Sequence, residues 1–173
     1  EPYRRQRQMC IRDSFGTDVE ENIKVGKKQI DFLAAIGGKW YNCQHGGYFG
    51  DGGPLERPTN PEVLDKICAI ADTLGAYAKE KGVTLCFHPH YGTCVFWESD
   101  IDYLMVHTDP RYVSFCIDTA HTTLAGMSPV ELIKKVGPRL AYMHLKDVDT
   151  YALKTAEGAD KMGTFRALGH GTI

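Results

Sequence analysis

Apolar residues recur at helical spacing early in the chain: Val19, Ile23, Ile30, Leu33 and Ile36 follow a capping box at Thr17–Glu20 and precede Gly37 and Gly38. The pattern predicts a helix ended by glycine. A short strand over 39–44 (KWYNCQ) comes next. Residues 45–59 hold seven glycines and prolines, which predicts a long loop. Asn60, Pro61 and Glu62 then read as a helix start with proline in the first turn. Val63, Leu64, Ile67, Ile70, Leu74 and Tyr77 supply that helix's apolar face, and Gly82 closes it. Residues 83–87 (VTLCF) form a nearly continuous apolar run, as a strand buried on both faces requires.

The alternation then repeats. A cap at Ser99–Asp102 predicts a helix through Met105, and 113–117 (VSFCI) the next strand. Ser128, Pro129 and Glu131 open another helix, which ends near Gly137 and Pro138. A strand follows over 140–145 (LAYMHL). Strands separated by helices and buried on both faces indicate a parallel α/β sheet, either doubly wound or a (β/α)₈ barrel. The doubly wound fold usually carries a glycine-rich phosphate turn, and neither GxGxxG nor GxxxxGK[ST] occurs. Instead every strand ends in polar residues: His45; His88 and His90; Asp118 and His121; His144, Lys146 and Asp147. A barrel gathers such ends at one mouth. A whole barrel takes about 250 residues, so four strands predict a partial TIM barrel, truncated at both ends.

Residues 1–14 have no period and read as an unstructured or foreign tail, with a basic arm as the alternative, and residues 15–173 as the partial-barrel domain. The far end stops in a glycine-rich loop, Gly169 to Ile173. The 173 residues carry a net charge of −2, which argues against a basic nucleic-acid surface. No apolar run is long enough to span a bilayer, and no apolar segment follows the charged N-terminus as a signal peptide requires. Six cysteines without a CxxC pair, three of them inside strand-like runs, fit buried thiols in a reducing cytoplasm. Unpaired strand edges predict self-association, and so a homo-oligomer.

Five of the seven histidines fall at or after strand ends. Any one is an ordinary structural residue, but several histidines with Asp118 make a ligand set for Mn²⁺, Co²⁺, Mg²⁺ or Zn²⁺. His90 alternatively orients His88, and Lys146 covers the rim, with Asp147 capping a turn. Trp40, Tyr41 and Trp97 are core residues or line a sugar site. Glu98 and Asp100 read as acids favoured by a helix N-terminus.

Three segments in order, Phe87 to Thr93 (FHPHYGT), Ile117 to His121 (IDTAH) and Met143 to Val148 (MHLKDV), resemble strand-end motifs of the xylose isomerase-like TIM-barrel superfamily, closest to its inosose dehydratase-like branch. The resemblance spans residues 17–173. It implies a metal site in which Asp118 and His144 match the family's Asp and His ligands. His88 stands where the family commonly has Glu; it binds as neutral imidazole and adds no negative charge. A last ligand, Glu, would lie beyond residue 173. His121 matches a residue that contacts substrate, with His45 and Trp40 as further substrate-binding candidates. Lys146 and His90 are candidates for proton transfer.

The resemblance implies a divalent-metal enzyme, with Mn²⁺ or Co²⁺ first and Mg²⁺ or Zn²⁺ next. It would form an enediolate beside the carbonyl of a sugar or inositol-derived small molecule. Isomerisation, epimerisation and dehydration share that step, and the motifs favour a dehydratase of the inosose type. Two alternatives stand beside it. One is an inactive barrel fragment lacking its last ligand. The other is an endonuclease IV-like phosphodiesterase, disfavoured by the acidic charge and the small ligand count.

Overall fold

The computed structural model describes residues 19–44 and 59–173. The expected cap at Thr17, the tail and His45 lie outside them. Four strands form one parallel sheet in the order β1 (Trp40–Cys43), β2 (Thr84–Phe87), β3 (Val113–Asp118) and β4 (Leu140–His144). Between them run α1 (Val19–Ala35, preceding β1), α2 (Pro61–Glu80), α3 (Glu98–His107), α4 (Thr119–Leu124) and α5 (Pro129–Val136). Beyond β4, β5 (Asp147–Val148) pairs antiparallel with β6 (Phe165–Arg166) around a short α6 (Thr150–Leu153).

Side chains alternate along each strand, and that alternation separates two layers. Tyr41, Cys43, Leu85, Phe87, Val113, Phe115 and Ile117 join Ile30, Leu33, Leu64, Ile67 and Leu74 of the helices in the main core. The opposite face carries Asn42, Cys86, His88, Cys116, Asp118, Tyr142 and His144, the interior of the barrel wall. All five described cysteines are outside disulfides, and four of them are buried, in line with the sequence expectation.

Helix starts follow the expected chemistry. Asn60 accepts the Glu62 N–H and Ser128 the Glu131 N–H. The third helix differs: it begins at Glu98, and its cap is Asp100 rather than Ser99. The Asp100 carboxylate reaches back to the Phe96 and Trp97 N–H groups at 3.2 and 2.9 Å. It is fully buried there, a closer role than a dipole-favoured surface acid.

β3 and β4 pair with one irregularity. Phe115 stands opposite Leu140, but Cys116 stands opposite Tyr142, so Ala141 is an extra residue in β4. A one-residue slip turns every following side chain to the other face. Here it brings His144 opposite Asp118.

Candidate metal centre at the strand ends

Asp118 ends β3 and begins α4. Its Oδ1 accepts the N–H groups of Ala120 and His121 at 3.0 and 3.1 Å, an N-cap that fixes the carboxylate plane. Its Oδ2 points into the barrel. Around that oxygen stand Lys146 Nζ at 2.8 Å, His144 Nδ1 at 3.4 Å, His88 Nε2 at 3.7 Å and His121 Nε2 at 3.9 Å. His88 Nε2 and His144 Nδ1 are 3.3 Å apart. Asp118, His88 and His121 are each at least 97% buried.

The three donors His88, Asp118 and His144 are therefore 3.3, 3.4 and 3.7 Å from one another. Bonds of about 2.0–2.2 Å to a tetrahedral ion set ligand atoms about 3.3–3.6 Å apart. The spacing suits a small divalent cation, and the donor set of two imidazoles and a carboxylate suits a borderline one. His121 offers a neighbouring alternative, since ligand atoms of His88, Asp118 and His121 lie within 4.8 Å of one another. The arrangement also carries a buried orphan: His88 Nδ1 makes no hydrogen bond among the described residues.

Charge favours the ionised Asp118. Burial works against it, but contacts from His144, His88, His121 and Lys146 outweigh burial and hold the carboxyl far below the usual carboxylate range. Two of the surrounding histidines, His90 and His121, are kept neutral. Burial pushes His90 down to about 4 and His121 down to about 2, the latter helped by its neighbour His90. His90 Nδ1 sits 2.7 Å from the Tyr91 carbonyl, which only accepts, so the proton is on Nδ1 and Nε2 keeps its lone pair. His121 meets two donors, the Tyr91 N–H at Nδ1 (3.4 Å) and Lys146 Nζ at Nε2 (3.3 Å). A neutral imidazole accepts from one at a time.

Lys146 is held by its backbone. The Thr119 hydroxyl donates to the Lys146 carbonyl at 2.5 Å and accepts the Lys146 N–H at 2.9 Å. The ammonium lies over the Phe165 ring at 5.4 Å. Asp147 caps turn residues, as one reading of the sequence expects, but mostly ones far along the chain. Its carboxylate gathers the N–H groups of Val148, Gly169, Gly171 and Ile173 and folds the chain's last residues back against β5. A Cβ at Gly171 would meet that carboxylate at 2.0 Å.

His88, His90, Asp118, His121, His144 and Lys146 are thus brought together. Trp40 is not. It lies at the opposite end of β1, where its ring meets Tyr142 at 5.8 Å. Tyr41 is core, and Trp97 packs on Phe96 at 4.4 Å. Thr119 and Cys116 escaped sequence reasoning. A threonine after a strand-end Asp is unremarkable until β4 is laid beside it.

Residues 11–173 match the family model described as xylose isomerase-like TIM barrel. The chain belongs to the xylose isomerase-like TIM-barrel family. Within that family it is 32% identical over 168 residues to an inosose dehydratase of Bacillus anthracis, covering 90% of this chain and 56% of the relative. It therefore spans little more than half the length of that curated relative. Among solved structures, the IolI protein with a binding zinc atom superposes at a TM-score of 0.68 with 14% identity, over 92% of this chain and 55% of that one. A D-allulose 3-epimerase from Methylomonas sp., in complex with D-allulose, superposes at 0.65 with 20% identity, over 92% and 51%. These two likenesses show the barrel fold, here a partial one of four strands among the described residues. No helix among those residues is long and apolar enough to cross a membrane.

Proposed function

We propose that this chain carries the metal-binding half of an enzyme that removes a proton beside the carbonyl of a polyhydroxylated small molecule, a keto-inositol or ketose, and that in the whole protein the outcome is dehydration. The observation that carries the reading is the mutual spacing of His88 Nε2, Asp118 Oδ2 and His144 Nδ1. The inosose dehydratase relative supports the substrate class and the dehydration, and the metal dependence rests on the spacing.

His88, Asp118 and His144 would hold the cation. When bound, it supplies Lewis-acid polarisation of a carbonyl oxygen. The rest falls to side chains. Lys146 Nζ faces the same centre and, when released from Asp118, meets negative charge developing on the substrate oxygen. His90, unprotonated and with Nε2 available, accepts the proton from carbon. His90 then returns that proton to the hydroxyl on the next carbon, which leaves as water and gives the dehydrated ketone. Phe165 meets the His121 ring at 5.5 Å and packs against the buried Tyr91 and Phe96 cluster.

The test is hydrogen exchange. The protein is incubated with a keto-inositol in D₂O, with Mn²⁺ or Co²⁺ and with chelator, and deuterium beside the carbonyl is followed by NMR. Metal-dependent exchange is expected, and Lys146→Met should lower it by roughly a hundredfold while bound metal stays unchanged. Exchange that is the same with chelator removes the metal-dependent proposal, and no exchange at all removes it and leaves the inactive-fragment reading.

A further inference from the structure

Beneath Asp118, one step deeper in the barrel wall, β3 presents Cys116 on the same face. It is fully buried. Its Sγ and one nitrogen each of His88 and His144 lie within 4.8 Å of one another. A second donor set of two imidazoles and a thiol thus shares two of its three members with the carboxylate set. His88 takes part in both, and its Nδ1 is the buried nitrogen that makes no hydrogen bond.

We propose that Cys116 supplies a thiolate to the His88–His144 pair, so that this centre prefers a thiophilic divalent cation, Zn²⁺, Cd²⁺ or Co²⁺, over Mn²⁺ and Mg²⁺. The inference rests on the metal reading above and extends it to metal selection. A tetrahedral ion with bonds of about 2.3 Å to sulfur and 2.0–2.1 Å to nitrogen needs S···N separations of about 3.6 Å. Separations of no more than 4.8 Å leave at most about an ångström for side-chain rotation to close. On binding, the S–H bond breaks, its proton leaves to solvent, and a metal–sulfur bond forms with no change of oxidation state. Soft thiolate ligands select zinc-like ions, whereas manganese and magnesium favour oxygen donors.

Cys86 is the natural comparison. It is an equally buried thiol on the same barrel face, one strand away and near enough to Cys116 to act on it electrostatically, and no such trio among the described residues includes it. The chain is titrated with Co²⁺ in a phosphine reductant and followed by absorption. Visible bands report cobalt bound in a low-symmetry site, and a near-ultraviolet band reports sulfur-to-cobalt charge transfer. Wild type and Cys86→Ser should show both. Cys116→Ser should keep the visible bands, lose the near-ultraviolet band, and lose about tenfold or more of its preference for Cd²⁺ over Mn²⁺. Cadmium NMR of the unmutated protein reports thiolate ligation directly, so a folding defect in the variant does not block the answer. Visible bands without charge transfer in wild type, or charge transfer that survives Cys116→Ser, overturn the thiolate and leave the metal centre standing. No cobalt bands at all overturn both.

Discussion

Asp118→Asn alters a carboxylate whose two oxygens have different partners. Oδ1 caps α4 through the Ala120 and His121 N–H groups, and an amide oxygen can do the same. Oδ2 carries the charge that faces Lys146, His144 and His88 at 2.8, 3.4 and 3.7 Å. An amide NH₂ in that place turns a donor toward the ammonium and removes the anionic ligand. Breaking a buried pair from one side costs about 3–5 kcal/mol. The Lys146 side chain is 37% exposed and can turn to water, which places the expected loss near 3 kcal/mol, the lower end of that range. Asp118→Ala loses the cap as well, adding about 1 kcal/mol. Urea unfolding at pH 7 in chelator measures both differences, and atomic emission after dialysis measures metal per chain. After loading with Mn²⁺, an ion that favours oxygen donors over a thiolate, both variants should be metal-free, with Ala the less stable. Wild-type metal content in Asp118→Asn would refute the ligand assignment, and equal stability of the two variants would refute the cap.

Three further outcomes follow from the same geometry. In chelator, the unprotonated His90 should add a stability term complete above pH 6.5 and lost as pH falls toward 4, about 3 kcal/mol in all, because the unfolded chain takes up the proton first; His90→Gln should lessen the pH slope in that window, leaving the part due to His121, and an unchanged slope counts against the buried neutral ring. Arg139→Met should cost about 3–5 kcal/mol by urea unfolding, since the buried guanidinium donates to the carbonyls of Val113 and Met105 and to Thr108 Oγ1. Gly75→Ala should cost about 1–3 kcal/mol, as its Cβ would meet the Tyr112 carbonyl at 2.5 Å; a neutral result would mean α2 shifts freely.

The parallel strands and their order were legible because each is a short apolar run that stops at a polar residue. His88, Asp118 and His144 could be picked out for the same reason: each stands at or just beyond the last strand position. What was hidden depends on partners remote in sequence. Thr119 holds Lys146 across 27 positions, and Asp147 holds Gly171 across 24. Cys116 reads as one more apolar residue in VSFCI, and only the pairing of three strands sets its sulfur beside two imidazoles. The third helix began earlier than its serine suggested, because a carboxylate two residues into the helix reached back to cap it.

The extra residue in β4 gives the centre a dependence on counting as well as on chemistry. Removing Ala141 alone would preserve the histidine, the lysine and the aspartate after it, and a motif comparison would find nothing missing. With β4 still anchored through Leu140 opposite Phe115, the shortened strand would set Leu145 opposite Asp118 if the irregularity persisted. If pairing became regular instead, His144 would stay opposite Asp118. A chain with every ligand letter intact can therefore keep or lose its centre after a single deletion, according to the register its strand takes.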